Sequence, residues 1–317
     1  MHKKILSHPI ISTVLFTCLL GWISTYLAVN FFRTYAFGLF VWLPIVMGVF
    51  STILSFRMAR TDQKPLKRVP FISILVFCLG LLAFAFEGLI CIIMALPLGV
   101  FFTWLGYFIG CWILRKKWTK GISVAMCMLT LSVPGVSGIE SLVDHGEPIR
   151  CITSRINIHA PIENVWKNVV EFPAIAPPTE TLFKIGIAYP THAYIDGSGV
   201  GAIRTCHFST GSFVEPITVW NEPYLLKFKV VDQPEPMTEL SPYAIHPTHL
   251  HGYFVSRQGQ FKLVKLSDTE TRLEGSTWYF NRIQPDFYWV LWSDYIIHAI
   301  HNRVLEHIKA VSERVSG

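Results

Sequence analysis

The 317-residue chain is predicted to combine an α-helical membrane domain with an α+β domain, in which a curved antiparallel sheet wraps one long C-terminal helix. Three observations predict this. Only 15% of the residues are charged, against about 25% in an ordinary soluble protein. The charge is divided: residues 1–138 hold 12 Lys/Arg and two acids, and residues 139–317 hold 15 Lys/Arg and 19 acids. The hydrophobic pattern also changes, from apolar runs of helix length to short alternating stretches followed by one helical period. The expected boundaries are a membrane domain over 1–138, a linker over 139–149 and the α+β domain over 150–317.

Residues 10–32 and 37–56 are the first two expected spans, each about 20 residues and enough to cross ~30 Å of hydrocarbon. Residues 71–114 are too long for one span and predict a helical hairpin, broken by Glu87 and Pro97. Residues 121–138, with Pro134 near their end, give a weaker fifth span. The first run is too long for the core of a cleaved signal peptide. Lys3 and Lys4 precede span one, Arg57, Arg60, Lys64, Lys67 and Arg68 follow span two, and Arg115, Lys116, Lys117 and Lys120 follow span four. The alternate loops carry only Arg33. The positive-inside rule therefore places the N-terminus in the cytoplasm and, with five spans, the α+β domain outside it; if the fifth run is a surface helix, that domain is cytoplasmic instead. Glu87 is the only acid in the apolar runs. A lone acid without a paired base favours a solvated hairpin tip over an ion site. Five of the seven cysteines lie in the apolar runs and there is no CxxC, so no zinc or redox motif is expected. The basic residues sit between apolar runs rather than on an exposed face, which argues against nucleic acid as a partner.

From residue 151, "CITSRINIHA" alternates as a strand and ends at Pro161. "PIENVWKNVVEF" follows as a short helix with Val165, Trp166 and Val169 as its apolar stripe. Strands are expected over 183–189, 192–196, 200–208, 213–220, 224–231, 254–266 and 271–280, separated by "DGSG", "STGS", "NEP" and "SDTE". Residues 285–315 form the last helix, with Ile296, Ile300, Val304, Ile308 and Val311 at helical spacing. The sheet must bury one face against it.

The stretches "INIHAPIENVW", "GSGVGAIRTCHFSTGSFVEPITVWNEPYLLKFKV" and "TRLEGSTWYF" resemble the START-like, helix-grip superfamily called SRPBCC, which includes polyketide cyclase/dehydrase and lipid-transport-like proteins. The resemblance covers residues 151–315. It implies a cavity between sheet and helix that takes an apolar or amphipathic ligand, and it implies no shared catalytic set. Possible cavity walls are Phe208, Phe213, Phe228, Trp278, Trp292 and Tyr295, with Arg204 or His249 as head-group contacts.

In the hairpin "AIRTCHFSTGSFVEPI", a loop at 209–212 sets Phe208 opposite Phe213 and Cys206 opposite Glu215, leaving Arg204 and Glu215 as diagonal neighbours on one face. They form either a charged pair inside the cavity or a surface ion pair. On the last helix Asp294, His298 and His301 lie near one face. They are either a carboxylate-oriented general base or a hydrogen-bonded cluster on the helix flank. "HPTHLH", residues 246–251, closes a proline-rich insertion long enough to serve as a lid. His249 and His251 would share a side if extended. The pattern is not HExxH and no cysteine supports it, so no metal or cofactor is expected. A loop whose histidines and Tyr243 contact backbone or ligand at the cavity mouth is the favoured reading. The expected function is binding of a membrane lipid or other small hydrophobic ligand at the membrane surface. The alternatives are an enzyme of cyclase or hydrolase type using Asp294 and His298, and an interaction domain without a ligand.

Overall fold

The computed structural model describes residues 8–58, 66–116, 121–143, 146–245 and 247–315. Lys3, Lys4, Arg60, Lys64, Lys117, Lys120 and His246 lie outside the described residues. The chain divides into two compact units: Met1–His145 with Glu239–Thr248, and Gly146–Thr238 with His249–Gly317.

The first unit contains α1 (His8–Tyr26), α2 (Leu43–Met58), α3 (Arg68–Ala83), α4 (Leu89–Arg115) and α5 (Ile122–Glu140). Wider turns extend α1 to Phe31 and begin the second helix at Gly38. Among the described residues four helices are long and apolar enough to cross a membrane: Pro9–Phe31, Gly38–Met58, Leu89–Arg115 and Ser123–Glu140. The stretch expected to be the weak span is thus one of the four. The third helix is the short one; its 16 residues span about 24 Å. Pro97 lies within α4 rather than breaking the hairpin.

Large apolar side chains such as Leu15, Phe16, Phe101, Trp104 and Met128 face outward, whereas Thr17, Ser51, Thr52 and Ser73 are buried and bond carbonyls one turn back. Small residues set the helix approach. A Cβ on Gly48 would come within 2.3 Å of the Thr103 carbonyl oxygen, and one on Gly106 within 2.3 Å of that of Ile45. Backbones in such contact are a packing mode of helices in lipid, where dispersion and close approach replace the hydrophobic drive. The α3–α4 turn holds Glu87 as expected, but not solvated. It is 8% exposed and accepts the Tyr35 hydroxyl at 2.9 Å. Glu239 accepts the amides of Ile90 (3.2 Å) and Cys91 (3.3 Å) at the start of α4, where a carboxylate meets the positive end of the helix dipole.

The second unit is the helix grip. Strands β1 (Arg150–Ile158), β2 (Pro190–Asp196), β3 (Ile203–Phe208), β4 (Gly211–Asn221), β5 (Leu225–Lys229), β6 (Phe254–Lys265) and β7 (Thr271–Asn281) form one antiparallel sheet in the order β1-β7-β6-β5-β4-β3-β2. This sheet curls as a half-barrel around α8 (Asp286–Val315), while α6 (Ile162–Val170) closes one end. The stretch expected as a strand at 183–189 instead begins with a helical turn, α7 (Thr181–Lys184). The core joins the α6 stripe of Val165, Trp166 and Val169 to Leu226, Leu263, Leu273, Leu305 and Ile308. Phe228 pairs with Gly259 across β5 and β6, and a Cβ at 259 would lie 2.6 Å from the Phe228 ring. The glycine thus makes room for an inward-facing phenyl ring.

The β3–β4 turn has two residues, not four. Phe208 pairs with Gly211, Cys206 with Phe213 and Arg204 with Glu215. The ladder runs to the end of "STGS" because Gly211 accepts a φ of 147°. The slip from the expected register is two residues, so every side chain keeps its face. The diagonal Arg204–Glu215 relation becomes a direct one.

Candidate functional site

A cavity open to solvent at its mouth lies between the sheet and α8. Phe172, Phe208, Phe213, Phe228, Phe254 and Phe261 contribute rings to its lining, and Ile296, Ile297, Ile300, Val304 and Leu305 contribute the α8 side. Residues 233–236, the first part of the proline-rich insertion, complete the wall. That part is tied down: Gln233 donates to the Phe254 carbonyl at 2.8 Å and accepts the Ser256 amide at 2.9 Å.

Arg204 and Glu215 line this cavity and are buried, at 2% and 6% exposure, which excludes the surface-pair reading. Arg204 donates to Glu215 and, through Nε at 3.2 Å, to the Val170 carbonyl. Its guanidinium carbon lies 5.5 Å from the centroids of Phe172 and Phe228 and 5.6 Å from that of Phe261. A desolvated guanidinium over ring faces gains about 2 kcal/mol per good contact. Burial opposes the charge on Arg204; Glu215, with Cys206 behind it, overrides that and holds the guanidinium charged. Burial raises the Glu215 carboxyl above its ordinary range, and Arg204 works against that rise. The Cys206 thiol is pushed up to about 12 by burial and by Glu215, with Arg204 opposing, so it is an inert neutral thiol. Arg204, the expected head-group contact, thus lines the cavity with its charge balanced by Glu215 and with Nε committed to the Val170 carbonyl.

Of the other expected wall residues, Phe208, Phe213 and Phe228 line the cavity and Trp278, Trp292 and Tyr295 do not. On β7, Thr277 lines the cavity and its neighbour Trp278 faces outward, where the Lys227 ammonium sits 5.0 Å over its ring. Tyr295 is exposed, and Trp292 is half-buried on the flank beside the inward row 296, 300 and 304. Tyr243 is exposed in the segment that belongs to the first unit. His249 is buried in a 3-10 turn, Thr248–Leu250, and is not part of the cavity wall. His251 is exposed and 3.4 Å from Glu235. The loop histidines thus have separate environments; the turn breaks the extended geometry that would have aligned them.

Asp294 and His298 do not form the expected dyad. Asp294 accepts the Tyr279 hydroxyl and, at 3.2 Å, an Arg150 donor. The His298 Nδ1 is instead 2.7 Å from Ser154 Oγ. His301, the third member of that helix face, is the one that lines the cavity. Its Nδ1 is 3.2 Å from Ser154 Oγ and its Nε2 2.7 Å from Thr277 Oγ1. Burial, then the neighbouring His298, lowers His301 to about 4, so the ring is neutral at pH 7. Ser154 and Thr277 were missed because nothing in a strand sequence marks a hydroxyl that faces a helix.

The lowered His301 carries a stability prediction. Between pH 6.5 and about 4 the unfolded chain binds a proton on this imidazole and the folded chain does not. Stability should therefore fall as pH drops through that window, and His249, lowered to about 4 by burial, acts in the same direction. Thermal unfolding at pH 7 and pH 5 should show a lower midpoint at pH 5. His301→Gln should flatten the slope, and an unchanged slope would contradict the assignment.

No family model and no curated protein matches the sequence. Solved structures of helix-grip proteins are similar to it. A norcoclaurine synthase point mutant from Thalictrum flavum, in complex with a transition-state analogue, is 13% identical with a TM-score of 0.35, covering 55% of this chain and 100% of that one. A structural-genomics protein from Nitrosospira multiformis is 17% identical with a TM-score of 0.34, covering 53% and 99%. The Zhui aromatase/cyclase from a Streptomyces species is 11% identical with a TM-score of 0.34, covering 53% and 96%. The fold assignment rests on the chain's own strand order and C-terminal helix.

Proposed function

We propose that the helix-grip unit binds a neutral, lipid-like molecule in the cavity between sheet and α8, and that the apolar helices of the same chain keep it at a membrane. One observation supports this reading: rings and aliphatic groups dominate the wall, its polar side chains are mostly uncharged (Gln233, Gln258, Gln260, Ser276, Thr277), and the buried ion pair on it is Arg204 with Glu215. Apolar pockets with a few fixed polar groups are the usual form of small-molecule sites. Among the described residues an anionic head group would find no free cation on this wall, since Arg204 is neutralised by Glu215 and Lys does not line it. A neutral ligand bearing a hydroxyl or carbonyl matches what remains. Bilayer proximity raises the effective concentration of such a molecule, so modest affinity suffices.

Ile300 lines the cavity from α8 and is half-buried, so a larger side chain there should fill the space rather than disturb the core. Ile300→Trp in the full chain, purified in mild detergent, is expected to lose at least tenfold of the bound neutral lipid found by mass spectrometry of the organic extract. Equal extracts from the two proteins would remove the ligand reading and favour an interaction domain.

With the 16-residue α3 counted as a crossing beside the four longer helices, the arrangement of basic loops supports an extracytoplasmic helix grip with a cytoplasmic N-terminus. A periplasmic-type reporter fused at the C-terminus should be active. Activity of a cytoplasmic-type reporter instead would mean an even number of crossings.

A further inference from the structure

The cavity wall contains a chain of polar groups that ligand binding alone does not use. Thr277 and His301 line the cavity, Ser154 is buried behind them, and His298 is exposed on the outer flank of α8. The links are 2.7 Å from Thr277 Oγ1 to His301 Nε2, 3.2 Å from His301 Nδ1 to Ser154 Oγ, and 2.7 Å from Ser154 Oγ to His298 Nδ1. Every member is amphoteric: each hydroxyl and each neutral imidazole can accept a proton on one side while giving one up on the other. The four sit on three separate elements, β7, β1 and α8, so local sequence did not place them in line.

We propose that Thr277, His301, Ser154 and His298 form a proton relay between the cavity and bulk water, and that the cavity takes an enolisable carbonyl compound whose α-hydrogen exchanges through it. The inference rests on the reading of the cavity as a site for a neutral ligand.

The step balances without a cofactor. The α C–H bond of the ligand breaks and its proton bonds to Thr277 Oγ1. The Thr277 proton passes to His301 Nε2, the His301 Nδ1 proton to Ser154 Oγ, and the Ser154 proton to His298 Nδ1. The C–H electron pair forms the C=C bond of the enol as the carbonyl π pair moves to oxygen, which takes a proton from water at the open mouth of the cavity, so the ligand leaves the step neutral. His298 is left as an imidazolium that gives its Nε2 proton to water. Reversal delivers a solvent proton to the carbon, so the net result is exchange or tautomerisation with no change of oxidation state. The neutrality of His301 suits a conducting member rather than a storage site. Its hydroxyl neighbours hold one tautomer at a time, which gives the relay a direction.

The test uses the full chain in detergent with 2-tetralone, a two-ringed ketone whose C1 α-hydrogens are activated by both ring and carbonyl. Binding is read by saturation-transfer NMR, and exchange by loss of the α-proton signals in heavy water. The wild type should exchange the ketone at least tenfold faster than Thr277→Val and Ser154→Ala, with each rate expressed per bound ketone. Thr277→Ser keeps the hydroxyl and should keep the rate. His298→Ala should be slow and should recover on addition of free imidazole, because its end of the relay is open to solvent; a merely structural role would not respond to imidazole. If 2-tetralone binds and all variants exchange it at the wild-type rate, the relay is overturned while the binding reading stands. If it does not bind at all, the ligand class proposed here is overturned, and the extract comparison with Ile300→Trp decides the binding reading separately. Should Ser154→Ala fail to fold, the contrast of Thr277→Val with Thr277→Ser and the imidazole response of His298→Ala still decide.

Discussion

Arg204→Met is expected to destabilise the helix-grip unit by about 3–5 kcal/mol, the cost of leaving one partner of a buried ion pair uncompensated. Arg204 is 2% exposed and Glu215 6%, so the pair is largely desolvated and the remaining carboxylate loses its counter-charge. The substitution removes the donor to Glu215, the donor to the Val170 carbonyl and the cation over three phenyl rings in one step. Glu215 would respond by taking up a proton, and burial already raises its carboxyl in that direction. Replacing both partners, as Arg204→Met with Glu215→Leu, should restore most of the loss, because an apolar pair of similar volume needs no compensation. Thermal unfolding of the full chain measures both. An unchanged transition in the single variant would mean that the pair is solvated, contrary to its burial. The comparison also separates stability from ligand choice: if Arg204 contacted a ligand head group, the double variant would fold and fail to bind.

The sheet and its long helix were legible in the sequence because alternation and helical period are strong, local signals. The Arg204–Glu215 partnership was legible for a narrower reason. A two-residue error in the hairpin register preserves parity, so the two residues stayed on one face although the turn was placed too long. Which face is concave was not legible. On β7 aromatic residues point outward as well as inward. Trp278 is covered by Lys227, and Phe280 lies beneath Arg257 and Arg282 at 4.9 and 5.2 Å. Cations over rings make an outer face look like a core strand in one dimension. On α8 the first turns carry exposed Phe287, Leu291 and Tyr295, so aromatic character did not mark the cavity side there. Ser154 and Thr277 gave no signal, since their roles follow from a helix more than 20 residues away in sequence.

Trp166→Ala carries the other large effect, about 3–5 kcal/mol of stability, the range for removing a buried aromatic from a close-packed core. Trp166 is 2% exposed at the centre of the α6 stripe and meets Trp220 of β4 edge to face, with ring centroids 5.5 Å apart. It does not line the cavity. The closed end of the grip therefore holds the structure together, and the open end is available to a ligand. This division predicts a dissociation between two measurements. Trp166→Ala should lower the unfolding midpoint strongly, yet below that midpoint it should leave neutral-lipid binding within about twofold of wild type, since Trp166 is in the core cluster but is not itself part of the wall. Ile300→Trp should do the reverse, abolishing binding with a small change in midpoint. If Trp166→Ala weakens binding in proportion to stability, the cavity and the core are one cooperative element, and the sheet's curvature at the open end depends on packing at the closed one.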